Sequence, residues 1–512
     1  MKKNIFIYLA IGAMSLGMVS CGEDFLTVGS SEKLEAGAPA TVQAIEQSLA
    51  SAYQILLFDS YANGNYNSIT LLGDLRSDDL FKGGGDANDQ ASLYFLSQFA
   101  NTPSDVPAGW WSIYFTGLSR TNGVILSCEN AVDGTEEEIN RLAAEAHTLR
   151  AYYVHLLWKF WGNIPYYEGD LPDPYFALQY TADEVYKEIM EDLDFALDGN
   201  KLPTTYNATT YGRVTKPTAQ MLRARVAMYQ NDQSRYNQVL ADMVEIINNP
   251  AYYLMEDFDG IFLSTGEFCP ESIFEVNHLP EGKDWSSSWG GYGTNLPAFI
   301  SPNSFTDPSG EFIGGWGFGP VRKEAYEMYA AADQRRDASI NDWRNADYAH
   351  RFQNTGFFMR KYAARPECNV VIAGAKDLNF DNNLRIFRLS EAYLNAAELV
   401  VGGASASGAQ SAQYYLDAVR KRAFGGSFEQ YKVTATLDNI KKERRLEFLG
   451  EGLRYWDLVR WGDAAKVLTE NLPEYSSNRT WDPTKSKYVP IPQDEIDKTK
   501  GYGEFELKQN PY

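Results

Sequence analysis

Cysteine and histidine are scarce in this chain, with four of each in 512 residues. There is no CxxC and no HExxH, and His147, His155, His278 and His350 are scattered, so spacing gives no support for a zinc site. Nothing else in the sequence calls for a cofactor. Setting Cys21 aside for the reason given below, Cys128, Cys269 and Cys368 are an odd number, and a disulfide framework cannot carry the fold. Basic charge is also short: 46 Lys and Arg stand against 68 Asp and Glu, a net charge of −22. Such a chain repels phosphate backbones, which argues against nucleic-acid binding. Beyond the first 20 residues no run of 18 apolar residues occurs, so no later segment reads as a membrane-spanning helix.

Aromatics are the surplus, with 33 Tyr, 27 Phe and 11 Trp. They serve as core material, or as platforms that stack on flat apolar ring faces while keeping a polar edge wet. Their position in the chain has to decide between these roles.

The N-terminus reads as an export signal. Lys2 and Lys3 precede an uncharged run from Ile5 to Val19, and Met18-Val19-Ser20-Cys21 follows, then Gly22-Glu23-Asp24. A run of about 15 residues is short of the roughly 20 needed to span a bilayer, which favours a cleaved signal. A cysteine at the cut resembles a bacterial lipobox, with Met18 where leucine is usual. The expectation is a signal peptide over 1–20, a lipidated Cys21 with a tether over 21–40, and one domain over 41–512.

Within that domain helical periodicity dominates. Thr41 is expected to cap a helix running to about Phe58. Further helices are expected over 108–129, 136–161, 181–197 (opened by a Thr181-x-x-Glu184 capping box), 216–231, 234–248, 384–401 and 409–423. A helix over 437–461 is expected to be the longest. Residues 59–107 and 252–320 lack that period and read as long irregular insertions, which in a compact domain points to function. The pattern predicts a mainly α protein of tetratricopeptide-like helix pairs with minor strands, though without a clean 34-residue repeat.

Glu443-Arg-Arg-Leu-Glu-Phe-Leu-Gly-Glu-Gly-Leu-Arg-Tyr-Trp-Asp-Leu-Val-Arg-Trp-Gly462 reads as one amphipathic helix, with Glu451 and Arg454 spaced to pair. Together with Tyr488-Val-Pro-Ile-Pro-Gln-Asp and the ending Asn510-Pro-Tyr512, it resembles the C-terminal signature of the SusD/RagB family of nutrient-binding lipoproteins. Cys21-x-x-Asp-Phe-Leu26, Glu145-Ala-His-Thr-Leu-Arg-Ala-Tyr-Tyr153, Trp161-Gly-Asn-Ile-Pro165, Asp333-Gln-Arg-Arg-Asp337 and Arg388-Leu-Ser-Glu391 match in order. The family commonly ends Asn-Pro-Gly-Tyr, and here the Gly is missing. The resemblance implies a tetratricopeptide-like scaffold, attachment to the outer membrane through the lipid on Cys21, and a lid over a SusC-like TonB-dependent transporter. It also implies capture of an oligosaccharide or polysaccharide without catalysis, and it makes the motif arginines and acids packing residues.

Sugar rings need exposed aromatics with polar groups nearby. The first candidate region is 281–318, with Trp285, Trp289, Tyr292 and Trp316 among glycines and serines. Within it, Trp316 stands between two glycines and has the more structural setting. The second is 59–99, with Tyr61, Tyr66, Arg76 and Asp78; Arg76 and Asp79 are also spaced for a local ion pair. Trp110 and Trp111, at a helix start, are assigned to the core. Two other readings remain open at this stage: a peptide cargo, favoured by a pocket without exposed tryptophan, and a glycoside hydrolase, which needs two carboxylates about 5–10 Å apart. The anchor is tested by Cys21→Ala, which is expected to shift the protein from the membrane to the soluble fraction with its melting temperature unchanged. Membrane retention in cells lacking the transporter would contradict it.

Overall fold

The computed structural model describes residues 39–62, 65–207, 209–286 and 289–512. Cys21 and most of the tether lie outside the described residues. The fold is mainly α, a tetratricopeptide-like stack of helices with long irregular insertions and short two-stranded sheets.

The helices are α1 (Val42–Tyr53), α2 (Ile69–Leu75), α3 (Ala91–Gln98), α4 (Gly109–Glu129), α5 (Glu136–Trp161), α6 (Ala182–Leu197), α7 (Lys216–Gln230), α8 (Tyr236–Asn248), α9 (Leu389–Val401), α10 (Ala412–Phe424), α11 (Leu437–Phe448) and α12 (Arg454–Arg460), with shorter turns between. Threonines set many of the starts. The side chains of Thr41, Thr135, Thr181 and Thr215 each accept a backbone N–H of the first turn, and Glu138 and Glu184 complete reciprocal capping boxes. Each such cap contributes about 1 kcal/mol. From α4 to α9 each helix packs on the next, and α1 packs on α4 and α5. Inside the stack, Trp110 meets Phe160 edge-on at 4.0 Å and Trp111 meets Trp161 at 5.2 Å, so this tryptophan pair is core, as its position at a helix start suggested. Arginine–carboxylate pairs tie helices of the stack together: Arg150 of α5 to Asp192 of α6 at 2.6 Å, Arg223 of α7 to Asp242 of α8 at 2.7 Å, and Arg225 of α7 to Glu391 of α9 at 2.7 Å.

Between α8 and α9, which touch, the chain departs for some 140 residues (249–388). A strand over Ser272–Val276, near the exit, pairs antiparallel with one over Leu384–Arg388 at the return, so the insertion is closed at its neck. Below the neck lies a buried ion cluster. Arg388 bonds Glu271 (2.7 Å), Glu447 (3.1 Å) and Glu451 (2.7 Å). Arg335 reaches Asp333 (2.7 Å), Glu443 (2.8 Å) and Glu447 (3.0 Å). Arg422 bridges Glu271 and Glu447, Lys361 meets Glu451 at 2.7 Å, and Arg420 caps Glu443. The five cations face five carboxylates, so the cluster closes without net charge.

Several expectations are corrected. The run 437–461 is two helices, because Gly450 and Gly452 adopt φ of +80° and +74°, a left-handed turn that points Glu451 into the ion cluster. Glu451 therefore pairs with Arg388 and Lys361, and Arg454 with Asp78 at 2.8 Å. The longest helix is α5, with 26 residues. Residues 384–388 are strand, since the Ser272–Val276 strand supplies the ladder partners that a helix would forgo. The segment 59–107 contains α2 and α3.

Burial alone raises the Glu447 carboxyl, but Arg422, Arg388, Arg335 and Lys361 outweigh it and hold it well below the ordinary glutamate range; Glu451 is lowered in the same way. A depressed carboxylate contributes stability above its unfolded pKa of about 4.3, and this is lost as pH falls through the folded value. The urea midpoint is therefore expected to hold between neutrality and about pH 5 and to fall steeply below about pH 4. Glu447→Gln removes the carboxylate that Arg335, Arg388 and Arg422 share and leaves the buried cluster with one uncompensated positive charge. It is expected to cost about 3–5 kcal/mol at neutral pH, read by urea unfolding.

Candidate functional site

The 57–66 segment and the 281–318 segment, more than 200 residues apart, meet at one surface. Strands β1 (Tyr61–Ala62) and β2 (Asn65–Tyr66) pair antiparallel with Tyr61 opposite Tyr66, which sets their rings side by side at 5.3 Å. Trp285 packs edge-on against Tyr61 at 5.2 Å and lies 5.9 Å from Trp316 at an interplanar angle of 31°. Trp316 closes the arc on Tyr66 at 5.7 Å, with Phe299 behind both. Tyr61, Tyr66, Trp285 and Trp316 thus form one continuous aromatic surface. Trp285 is 47% exposed, while the other three are half-buried.

Backbone bonds hold the tryptophan loop in place. Leu279 N–H donates to the Tyr292 carbonyl and Tyr292 N–H to Glu281; Gly282 N–H donates to Ala373 and Ala375 N–H to Lys283. Buried Asn379 accepts from Lys283 N–H at 3.0 Å and donates to the Lys283 carbonyl at 2.8 Å. Gly282 and Gly291 touch at the loop base, both with positive φ; a Cβ on Gly291 would stand 2.2 Å from Lys283 N. The two segments are also pinned together. The Lys283 Nζ donates to the Leu57 carbonyl at 2.7 Å, Ser60 Oγ donates to Asn295, and the Tyr61 hydroxyl donates to the Trp285 carbonyl at 3.3 Å. Burial pushes Lys283 down to about 7, against the pull of Asp59, and pushes Asp59 itself up to about 8.

Polar groups rim the aromatic surface. Trp316 Nε1 donates to Asp377 at 3.3 Å, and Arg351 donates to the Trp316 carbonyl and pairs with Asp89 at 3.3 Å. Burial, with Tyr61 and Asp89 adding to it, raises the Tyr66 phenol to about 12, so it stays a neutral donor. Asp89, Arg351 and Asp377 were not singled out from the sequence. Each is far along the chain from the ring it serves, and no local pattern marks it.

Not all of the sequence candidates converge. Trp289 is exposed but lies on the other flank of the loop, edge-on to Phe58 at 5.2 Å. Tyr292 is exposed at the loop base. Arg76 is 1% exposed, stacked 4.0 Å from the Tyr455 ring and donating to the Ser486 carbonyl, so it cannot present itself to a surface ligand. Nor does it pair with Asp79, which takes Arg445 at 2.7 Å. Burial would raise Asp78, but Arg445 and Arg454 hold it at about 2, committed to a structural pair. Both residues are removed from the candidate site. Trp316 is a bracing residue and part of the surface at once.

Comparison with known proteins places these observations in context. A profile described as "SusD family" matches residues 271–512, and one described as "Starch-binding associating with outer membrane" matches residues 24–228. The chain is similar to the solved surface glycan-binding protein A from Bacteroides fluxus, at 57% identity and a TM-score of 0.88, covering 92% of this chain and 100% of that one. It is also similar to surface glycan-binding protein A from Bacteroides thetaiotaomicron in complex with laminarihexaose, at 38% identity and a TM-score of 0.84, covering 92% and 100%. A SusD-like protein of Bacteroides ovatus is 24% identical over 500 residues, 92% of this chain and 84% of that protein.

The glycine pinch is open to test. Gly291→Ala puts an L-residue at φ +83° against backbone, a strain of at least about 1–2 kcal/mol. The amides of Gly282 and Tyr292 are expected to exchange about tenfold faster or more, with the helical stack unchanged, as read by hydrogen exchange.

Proposed function

The chain belongs to the SusD family, and from that premise we propose that it is a surface glycan-binding protein whose site is the aromatic surface of Tyr61, Tyr66, Trp285 and Trp316. One observation carries the reading: two segments distant in sequence bring Tyr61, Tyr66, Trp285 and Trp316 together as one partly exposed aromatic surface. Tryptophan and tyrosine rings offer apolar faces to pyranose C–H surfaces, and Asp89, Asp377 and Arg351 stand at the rim for hydroxyls. Each stacking contact contributes about 0.5–1.5 kcal/mol beyond burial, so affinity grows with the number of sugar units engaged.

The ligand in this reading is a neutral glycan. A chain of net charge −22 with acids at the rim disfavours a polyanion. The laminarihexaose bound by the Bacteroides thetaiotaomicron relative supports a laminarin-type glucan as the first ligand to try. The protein captures the glycan at the cell surface and passes it to a SusC-like TonB-dependent transporter, held beside it by the lipid on Cys21; family membership and the N-terminal motif support this step. It acts without catalysis, as the names of its relatives as binding proteins suggest. Exposed Trp285 counts against a peptide cargo.

Calorimetry with laminarihexaose tests the reading. Trp285→Ala and Trp316→Ala are each expected to weaken binding about tenfold, since each removes about 1.4 kcal/mol of stacking and burial. Unchanged affinity in both variants would overturn the site. Release of shorter sugars on prolonged incubation, abolished by a single Asp or Glu substitution, would favour the hydrolase reading instead.

A further inference from the structure

On the other flank of the tryptophan loop lies an open cavity of about 510 Å³, floored by α1 and the turn after it (Leu49, Tyr53, Leu57) and walled by the 211–213 turn, the end of the Ser272–Val276 strand and Tyr292. Its size is that of a small-molecule site. Nothing in the platform described above uses it.

Its wall is prepared in a particular way. Tyr211 is 45% exposed, yet it does not hang free: one ring face is stacked on Phe268, at 4.4 Å and an interplanar angle of 7°. Tyr206 props both rings from the side, at 5.4 and 5.8 Å. Phe268 holds φ +53°, a left-handed conformation rare for a phenylalanine, and its N–H is tied to the buried Glu275 carboxylate at 2.9 Å. Residues held in such sparsely populated backbone regions cluster at ligand sites. The result is a rigid ring with one face spent on support, in a residue that lines the cavity.

The polar lining points the same way. Exposed Asn277 makes no side-chain hydrogen bond among the described residues, so its two donors and its acceptor are available. Arg213 and Glu46, also in the lining, are paired with each other at 3.0 Å, and Arg213 is further held by Glu145 at 2.9 Å. The cavity therefore offers no unpaired arginine to an anion. Stacking rings, a free amide and a balanced ion pair suit a neutral polyhydroxylated ring.

We propose that this cavity is a second carbohydrate subsite, in which Tyr211 stacks on a pyranose ring and Asn277 hydrogen-bonds its hydroxyls, engaging sugar units of the glycan that lie beyond those on the aromatic platform. Leu57 lines the cavity and Tyr61 belongs to the platform. Four residues span at most about 14 Å, so the cavity edge at Leu57 lies within oligosaccharide length of Tyr61. Tyr292, which the platform leaves out, lines the cavity as a second exposed ring. The proposal rests on the glycan-binding reading and adds a separate place and length dependence to it.

Calorimetry with two probes of different length, laminarihexaose and laminaritriose, separates the two claims. Tyr211→Ala and Asn277→Ala alter exposed side chains, and thermal melts check that each variant folds. Each is expected to weaken the hexaose about tenfold and the triose less than twofold, the scale of one lost stacking or hydrogen-bonding contact. Tyr211→Phe, which keeps the ring, is expected to restore hexaose binding. Hexaose affinity unchanged in both alanine variants overturns the subsite. Equal weakening of both probes overturns it too, because the residues then support the platform instead of contacting distal sugars. Failure of the platform is read separately, on Trp316→Ala, which in this scheme weakens both lengths.

Discussion

The rest of the molecule depends on the buried ion cluster at Arg388. Five cations and five carboxylates from segments as far apart as Glu271 and Glu451 interlock away from solvent. Each charge taken out of water costs several kcal/mol, which only dense mutual pairing offsets. The gain is geometric as much as energetic. A carboxylate such as Glu447, accepting from three arginines, has one arrangement that satisfies it, and that arrangement fixes where the 249–388 insertion leaves the helical stack and where it returns.

That fixation is what permits the site. The aromatic surface rests on loops and one minimal hairpin, with buried Phe299 behind them. Their order comes from backbone bonds across loop bases, from the Gly282–Gly291 contact, and from Lys283 and Ser60 tying the two segments together. A rigid surface is what stacking requires, since the entropy of ordering a ring is then settled in folding and not on binding. The Tyr211–Phe268 stack on the other flank follows the same logic with different residues.

Much of this was legible in the sequence. The helices capped by Thr41 and Thr181, the extent of the helix over 136–161, and the assignment of Trp110 and Trp111 to the core rest on local periodicity and capping, which act within a few residues and so leave their mark there. The choice of 59–99 and 281–318 as the functional segments rested on an absence of period together with an excess of aromatics, and four of the named rings do converge. Arg76 and Asp78 went astray because charge in an irregular segment looks alike whether it faces water or a buried partner. Their partners, Tyr455 and Arg454, lie more than 370 residues away.

The sequence alone determined the helical class, the capped helix starts, the N-terminal motif and the two aromatic-rich segments without helical period, because each is a property of residues near one another in the chain. Only the tertiary structure decided which aromatics share a face, that Glu451 turns inward between two left-handed glycines, that Asp89, Arg351 and Asp377 rim the platform, and that Tyr211 is braced over a cavity. Each of these is a contact between residues distant in sequence. Such contacts are selected by global packing and by the need to pair every buried charge, and neither constraint is written in any local window.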